Sequence, residues 1–419
     1  MPAKSDPQAC VAGDRHSRSG SGRLPVINGL RGLAIIGVLF YHIAAGMFVQ
    51  DSLSPVLSAL LTNGWSGVNL FFILSGFVLF LPLAAGDGAM SRLADRVDFY
   101  RRRCRRLLPL FFVGAIGSCA FAAARGMTAD TGTLLSVLSF GFILDPRSFG
   151  PSFNVPLWSL GDEIAFSALF PLLVLGLRRH GVVCLTASVL GLSLALRLVG
   201  IWRFPALQGP TFNSDMFACR LDEFVLGLGL AQTYAAGWLP RRPTLWAGVG
   251  AALILLAWVG FDLVLRGVLP PLWRAGLNDV LDAGLAAVIV AALVPRTRLA
   301  AALSWRPLQV AGMMCYSIYI WHAPLLDWIA ADRASMSAPA LAGAIAVFLG
   351  LTVVVASLSY RFIEFPRTSD WRRLFLLAPL AVTPRAASPY GGRVTSGLPP
   401  GRGSLGTAKR SSWSSTSTR

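Results

Sequence analysis

The chain has 419 residues, 54% of them hydrophobic and only 14% charged, with a mean hydropathy of +0.61. That composition excludes an ordinary soluble globular protein and places the chain in a membrane. The formal net charge of +17 raises nucleic acid as a partner, a reading that the placement of Lys and Arg along the chain tests directly.

Apolar stretches of about 18 to 25 residues predict about ten spanning helices: 27–49, 64–83, 107–124, 157–177, 181–201, 216–236, 244–265, 277–294, 308–330 and 339–363. The expected fold is therefore all-α, a polytopic transmembrane bundle over 27–366. A short polar segment, 1–26, precedes it, and a basic tail, 367–419, follows. The tail from about Pro384 is rich in Ser, Gly, Pro and Arg and reads as disordered. The longest connections, 84–106 and 125–156, are too short to form cores of their own, so no separate soluble domain is expected. The six cysteines contain no C-x-x-C, and no disulfide framework, zinc site or other metal site is predicted.

With the N-terminus inside, the segments 1–26, 84–106, 178–180, 237–243, 295–307 and 364–419 together hold 27 Lys and Arg, and the opposite side holds 6. The asymmetry puts both termini in the cytoplasm and reads the basicity as orientation and attraction to anionic lipid, not as a nucleic-acid footprint. The first run, 27–49, contains Arg31 and lacks a small-residue cleavage site, so it is a retained span.

Arg31 and His42 lie eleven residues apart in that first span. Eleven steps of about 100° return a helix to within roughly 20° of its starting direction, so the two share a face, separated by roughly 16 Å along the axis. Asn69 lies in the second span. Arg101, Arg102, Arg103, Arg105 and Arg106 form a cationic rim just before the third, which reads either as a lipid anchor or as a dock for a phosphorylated ligand. The fourth span opens with Trp158 and carries Glu163; the sixth carries Arg220, Asp222 and Glu223; the ninth carries His322. Counted from the outer edge of each span, His42, Glu163, Asp222, Glu223 and His322 fall in one layer roughly 9 to 12 Å deep, with Asn69 and Arg220 close to it. Such matched depth predicts one convergent polar pocket, although an ion pair of Arg220 with Asp222 or Glu223 would serve structure alone.

A neutral imidazole can take a proton from an alcohol while a carboxylate orients it, so His42 reads as a general base and Glu163 as its partner. An arm anchored by phosphates at the arginine rim and Arg31 would lay its far end beside His42. Coenzyme A has an arm of about that reach, so an acyl-CoA donor fits, as would other long amphiphilic donors.

Several motifs in order then resemble the acyltransferase-3 family of bacterial membrane O-acyltransferases, over about 27–366. They are Asn28 to Leu33 with His42, Gly67 to Phe77, Arg101 to Pro109, Trp158 to Phe166, Tyr316 to Pro324, and Tyr360 to Pro366 with Glu364. The family's first-span aspartate is Asn28 here, and the second of its paired fourth-span glutamates is Ile164, which leaves Glu163 beside Asp162. The resemblance implies transfer of an acyl group, acetyl or another short chain, from acyl-CoA to a sugar hydroxyl within the bacterial inner membrane. The acceptor class it implies is a surface glycan, a lipid-linked sugar or a glycosylated metabolite, and no permanently bound cofactor is expected. The expected site is thus His42 and Glu163 at the reaction, Arg31, Arg101, Arg102 and Arg105 on the donor, and Asn69, Trp158, Arg220, Asp222, Glu223 and His322 on the acceptor. His322 and Asp327 also form an H-x-x-x-x-D string, but Pro324 stands between them and chance explains so short a pattern. The competing class is a transporter or flippase of a glycan, in which the same polar layer binds substrate and no bond is made.

Overall fold

The computed structural model describes residues 24–47, 61–86, 90–127, 130–204, 211–330, 336–367 and 371–377. The expectations for the N-terminal segment up to 23 and for the tail beyond 377 lie outside the described residues. The long elements are helices throughout, as hydrocarbon demands of a backbone that must satisfy its own N–H and C=O groups. They are α1 (Pro25–Met47), α2 (Gly67–Ala84), α3 (Leu93–Ala124), α4 (Leu157–Arg203), α5 (Phe217–Ala235), α6 (Pro243–Leu265), α7 (Trp273–Ala292), α8 (Cys315–Ile329) and α9 (Ala338–Ser359).

Among the described residues, seven helical segments are long and apolar enough to cross a membrane. Three local features account for the ten apolar stretches of the sequence. α4 is two arms joined at Gly181, whose φ of 80° is left-handed and free of strain only for glycine. A Cβ on Gly176 would lie 3.6 Å from Leu185 Cδ1, whereas nine residues of straight helix cover roughly 13.5 Å, so the chain doubles back there. α5 holds Arg220, Asp222 and Glu223 within its length, which lowers its hydropathy. α8 has only 15 residues, because the helix Arg306–Met313 before it ends at Met314.

The bundle is apolar outside and polar within. Leu172, Val183, Val199, Leu255 and Val347 are exposed, while Arg197, Arg220, Glu223, Asn278 and His322 are buried. α1 runs through the middle, packed on α2, on α8 and on the two short helices Arg298–Leu303 and Arg306–Met313. A Cβ on Gly29 would sit 1.8 Å from the Leu303 carbonyl oxygen and one on Gly32 2.0 Å from that of Leu308, so those glycines let the backbones touch and hold Arg31 at the junction.

The connection before α4 does not stay at the surface. Asp130 caps the short helix Thr131–Leu138 by accepting from the amides of Gly132 and Thr133, after which 139–156 turns inward with no α-helix and one 3-10 turn, Gly141–Ile143. Asn154 Nδ2 donates to Ser118 Oγ (2.9 Å) and to the Ile320 carbonyl (3.0 Å). Phe142, Phe153 and Leu157 pack on Phe111 and Ala115 of α3. Since Ser118 is six residues before the end of α3, α4 starts roughly 9 Å inside the bundle.

Candidate active site

The seam between α1 and α8 holds both histidines. The His42 and His322 rings meet edge to face with centroids 4.6 Å apart, one pair from the depth-matched set that the structure does bring together. His42 Nδ1 lies 2.9 Å from the Val38 carbonyl oxygen and His322 Nδ1 lies 2.7 Å from that of Tyr319. A carbonyl can only accept, so each Nδ1 carries the proton in the neutral ring and each Nε2 presents a lone pair. His322 Nε2 is buried without a partner. Thus His42 has its tautomer set by its own helix, one turn back, rather than by a carboxylate.

Arg31 lies at the other end of the same seam. Its guanidinium is in the electrostatic field of Cys315, Arg106, Glu163 and Glu364, and its Nε is buried without a hydrogen-bond partner. Cys315 and His322 are both on α8, so Arg31 and His42 face one neighbouring helix, as the helical periodicity predicts. Ser317 of α8 donates to Glu364 in the π-helical turn Tyr360–Glu364, and Tyr316 Oη donates to the Leu107 carbonyl (2.6 Å), which ties α8 to α3 and to the end of α9.

The structure separates Glu163 from His42. Glu163 is paired with Arg103 and lies at the Arg31 end of the seam, while Ser167, one turn on, accepts from Arg103 Nε at 3.1 Å. The reason is the inward course of 139–156: α4 begins inside the bundle, so a depth counted from its first residue is short by that distance, and Glu163 lies roughly 18 Å down. The expected single layer is therefore an arrangement of three groups: the histidines, the Arg31–Arg103–Glu163 end, and a charge network on α2, α4, α5 and α7.

In that network Asn69 Nδ2 donates to Glu223 (3.3 Å), Asn278 (3.0 Å) and Asp282 (2.9 Å), and its oxygen accepts from Arg220 (3.0 Å). Arg220 Nε pairs with Glu223 at 3.0 Å and its Nη1 reaches Asp215 at 3.6 Å, while its guanidinium stands 5.9 Å from the Trp158 ring. Asp222 pairs with Arg197 at 2.8 Å, not with Arg220, and Arg197 also holds Asp279. Asp222, Asp279 and Asp282 place one oxygen each within 4.8 Å of one another; the Arg197 guanidinium pairs with the first two, and Asp282 accepts from Asn69 and Asn278. Arg197, Asn278, Asp279 and Asp282 were not among the expected site residues, although Asn278 and Asp282 show the i, i+4 spacing of one helix face.

A cleft of about 390 Å³ opens at the basic end, lined by Arg102, Arg103, Asp95, Asp98, Phe99 and Met90 among others. Arg101 and Arg105 are exposed beside it. Arg103, missed as a site residue, lies four residues from Phe99 and four from Leu107, both buried, so its helix face points inward.

Comparison with known proteins adds to this geometry. A model of the acyltransferase domain, Acyl_transf_3, matches residues 24–361, the whole run from α1 to the π turn. The chain belongs to the acyltransferase-3 family. It is 26% identical over 366 residues to the peptidoglycan O-acetyltransferase OatA of Listeria monocytogenes, covering 82% of this chain and 55% of that protein. It is 25% identical over 375 residues to the O-acetyltransferase OatA of Staphylococcus aureus, covering 85% of this chain and 59% of that protein. The chain thus spans little more than half the length of those two relatives. The acyltransferase MdmB of Streptomyces mycarofaciens is 29% identical over 403 residues, which cover 87% of this chain and 97% of MdmB. No solved structure matches. In this family member the seam and the network are both buried and polar among the described residues, inside a bundle with seven helical segments of spanning length.

Proposed function

We propose that this protein moves an acetyl or other short acyl group from acyl-CoA to a hydroxyl of a sugar, in a surface glycan, a lipid-linked sugar or a glycosylated metabolite. The observation that carries the reading is the seam itself, with a cation at one end and an imidazole at the other, both turned to α8. In this reading the nucleotide phosphates of the donor sit at the basic end, with Arg102 and Arg103 in the cleft, Arg101 and Arg105 at its rim and Arg31 at the entrance. The pantetheine arm then follows the seam for the roughly 16 Å between Arg31 and His42.

His42 Nε2 takes the proton of the acceptor hydroxyl as its oxygen attacks the thioester carbonyl carbon. The carbon–sulfur bond breaks, the thiolate takes the proton from the imidazolium, and an ester and a free thiol leave. His322, edge-on to His42, presents a second lone pair towards the acceptor. The Lys and Arg asymmetry supports placing the basic end and both termini in the cytoplasm of a bacterium, with the chain in its inner membrane and the donor arriving from within. Family membership favours bond-making over transport of the same sugar.

The test uses the purified chain in lipid nanodiscs with acetyl-CoA and candidate acceptors: peptidoglycan fragments, lipid-linked sugars and glycosylated metabolites. Acceptor-dependent release of free thiol, lost in His42→Ala, is expected. Sugar exchange across proteoliposomes with no thiol released would overturn the reading in favour of transport.

A further inference from the structure

We infer that Asp162 is the base of an acceptor subsite, where its carboxylate takes hydrogen bonds from two neighbouring hydroxyls of the sugar whose third hydroxyl is acylated. The inference rests on the acyl-transfer reading above and extends it to the acceptor.

Asp162 is fully buried, and neither of its carboxylate oxygens has a hydrogen-bond partner. Among the described residues it forms no ion pair. Arg220 is within electrostatic range, but that guanidinium is already engaged by Glu223 at 3.0 Å, Asn69 at 3.0 Å and Asp215 at 3.6 Å. A buried carboxylate without donors is one of the costliest arrangements a fold can keep, and it needs a reason other than packing. The carboxylates of the nearby network differ on this point, since Asp222, Glu223, Asp279 and Asp282 each touch an arginine or an asparagine.

The position connects to the reaction through side chains in contact. Ser159, one turn before Asp162 on the same face of α4, shares a 2.6 Å hydrogen bond with Tyr319 Oη. The Tyr319 ring is 5.4 Å from His322, which is 4.6 Å from His42. Two syn oxygens match the paired donors of a vicinal diol, and Trp158 beside them offers the flat apolar surface that the C–H face of a sugar ring uses. Because Arg220 supplies the counter-charge from a distance, neutral O–H donors suit the carboxylate better than a second cation.

The wall of this subsite is the irregular segment 139–156. Phe149 lies 5.8 Å from Trp158, and a Cβ on Gly161 would meet Phe142 at 2.7 Å. Non-helical backbone at membrane depth is tolerated where it is packed in protein or lines a cavity, and here it closes the subsite with Phe142 and Phe149 instead of a spanning helix.

The test takes the full chain in nanodiscs and the variants Asp162→Asn and Asp162→Val. The probes are methyl β-D-glucopyranoside, its 3-deoxy analogue, which lacks adjacent ring hydroxyls, and acetyl-CoA. In the wild type the diol sugar is expected to raise the unfolding temperature and the 3-deoxy analogue to do so only weakly. Both variants are expected to need about tenfold more diol sugar for the same protection, or beyond. Without sugar Asp162→Val should unfold at a higher temperature than the wild type, because an unpartnered buried carboxyl is gone, whereas Asp162→Asn leaves an unpartnered amide and should gain no such stability. No protection of the wild type by the diol sugar, equal response in the variants, or variants that are less stable with an unchanged sugar response would each overturn the subsite. Diol binding that depends on Asp162 without thiol release from acetyl-CoA would leave the subsite standing and sink the acyl-CoA reading. Thiol release with the same sugar KM in the variants would do the reverse.

Discussion

The Arg197–Arg220 network and the α1–α8 seam are both polar, buried and apolar on their lipid side, yet they use their hydrogen-bonding capacity differently. In the network the groups are spent on one another: Asn69 alone meets Arg220, Glu223, Asn278 and Asp282. Arg197 Nε, Arg220 Nε, both oxygens of Asp222 and one of Glu223 make no hydrogen bond, but each of these side chains is held in an ion pair, Arg197 with Asp222 at 2.8 Å and Arg220 with Glu223 at 3.0 Å. In the seam, Arg31 Nε and His322 Nε2 have no partner, and His42 has only its own helix. Polar content inside a membrane therefore does not by itself mark where chemistry happens. Unpartnered donors and acceptors on side chains that are in no ion pair among the described residues, as with Arg31 and His322, do, because only they have something left for a ligand.

If the network is scaffold and the seam is site, substitutions should separate stability from activity. The largest effect is expected from Arg197→Ala, which strands Asp222 and Asp279 in the interior. Removing one partner of a buried pair costs about 3–5 kcal/mol, enough to lose most of the folded protein, and thermal unfolding in nanodiscs measures it. An Arg197→Ala protein as stable as the wild type would break the comparison on the scaffold side. His42→Ala should do the opposite. Its acyl transfer should fall about 10²–10⁴-fold, with stability changed by under about 1 kcal/mol. Undiminished ester formation in that variant would remove the base.

The fold and the first span were legible because helical periodicity is local. Apolar runs gave the spans, and the eleven-residue spacing put Arg31 and His42 on one face, where α8 meets both. His322 was also found at the height of His42, since α1 and α8 run parallel. Glu163 was misplaced because its depth depends on where α4 starts, and that is set by the contacts of Asn154 with Ser118 and Ile320, which no local pattern announces. The partner of Asp222 likewise came from another helix: Arg197, on the second arm of α4, became its neighbour through the packing of that arm on α5, where Ser193 and Arg197 donate to the Ala218 and Cys219 carbonyls. Asp162 could have been singled out as a carboxylate in an apolar run. Its significance, two oxygens with nothing to bind, exists only once the neighbours are in place.

Two smaller effects sharpen the division within the seam. Arg31→Ala removes the cation at the donor entrance and should raise the acetyl-CoA concentration for half-maximal rate about tenfold to a hundredfold, with the rate at saturation changed less. Titration of acetyl-CoA binding in the absence of acceptor checks it, and an unchanged affinity would detach Arg31 from the donor. Glu163→Gln should have the smallest effect of the four, and its direction decides where that residue works. The structure pairs Glu163 with Arg103 at the basic end, so the amide loosens a guanidinium that lines the cleft, and the KM for acetyl-CoA should rise by less than about tenfold. The maximal rate and its pH profile should stay as they are, because the imidazole takes its orientation from the Val38 carbonyl. If instead kcat fell about a hundredfold and the alkaline or acid limb of the profile moved, Glu163 would be acting on His42 across the seam, and the assignment of the two ends to two different tasks would fail.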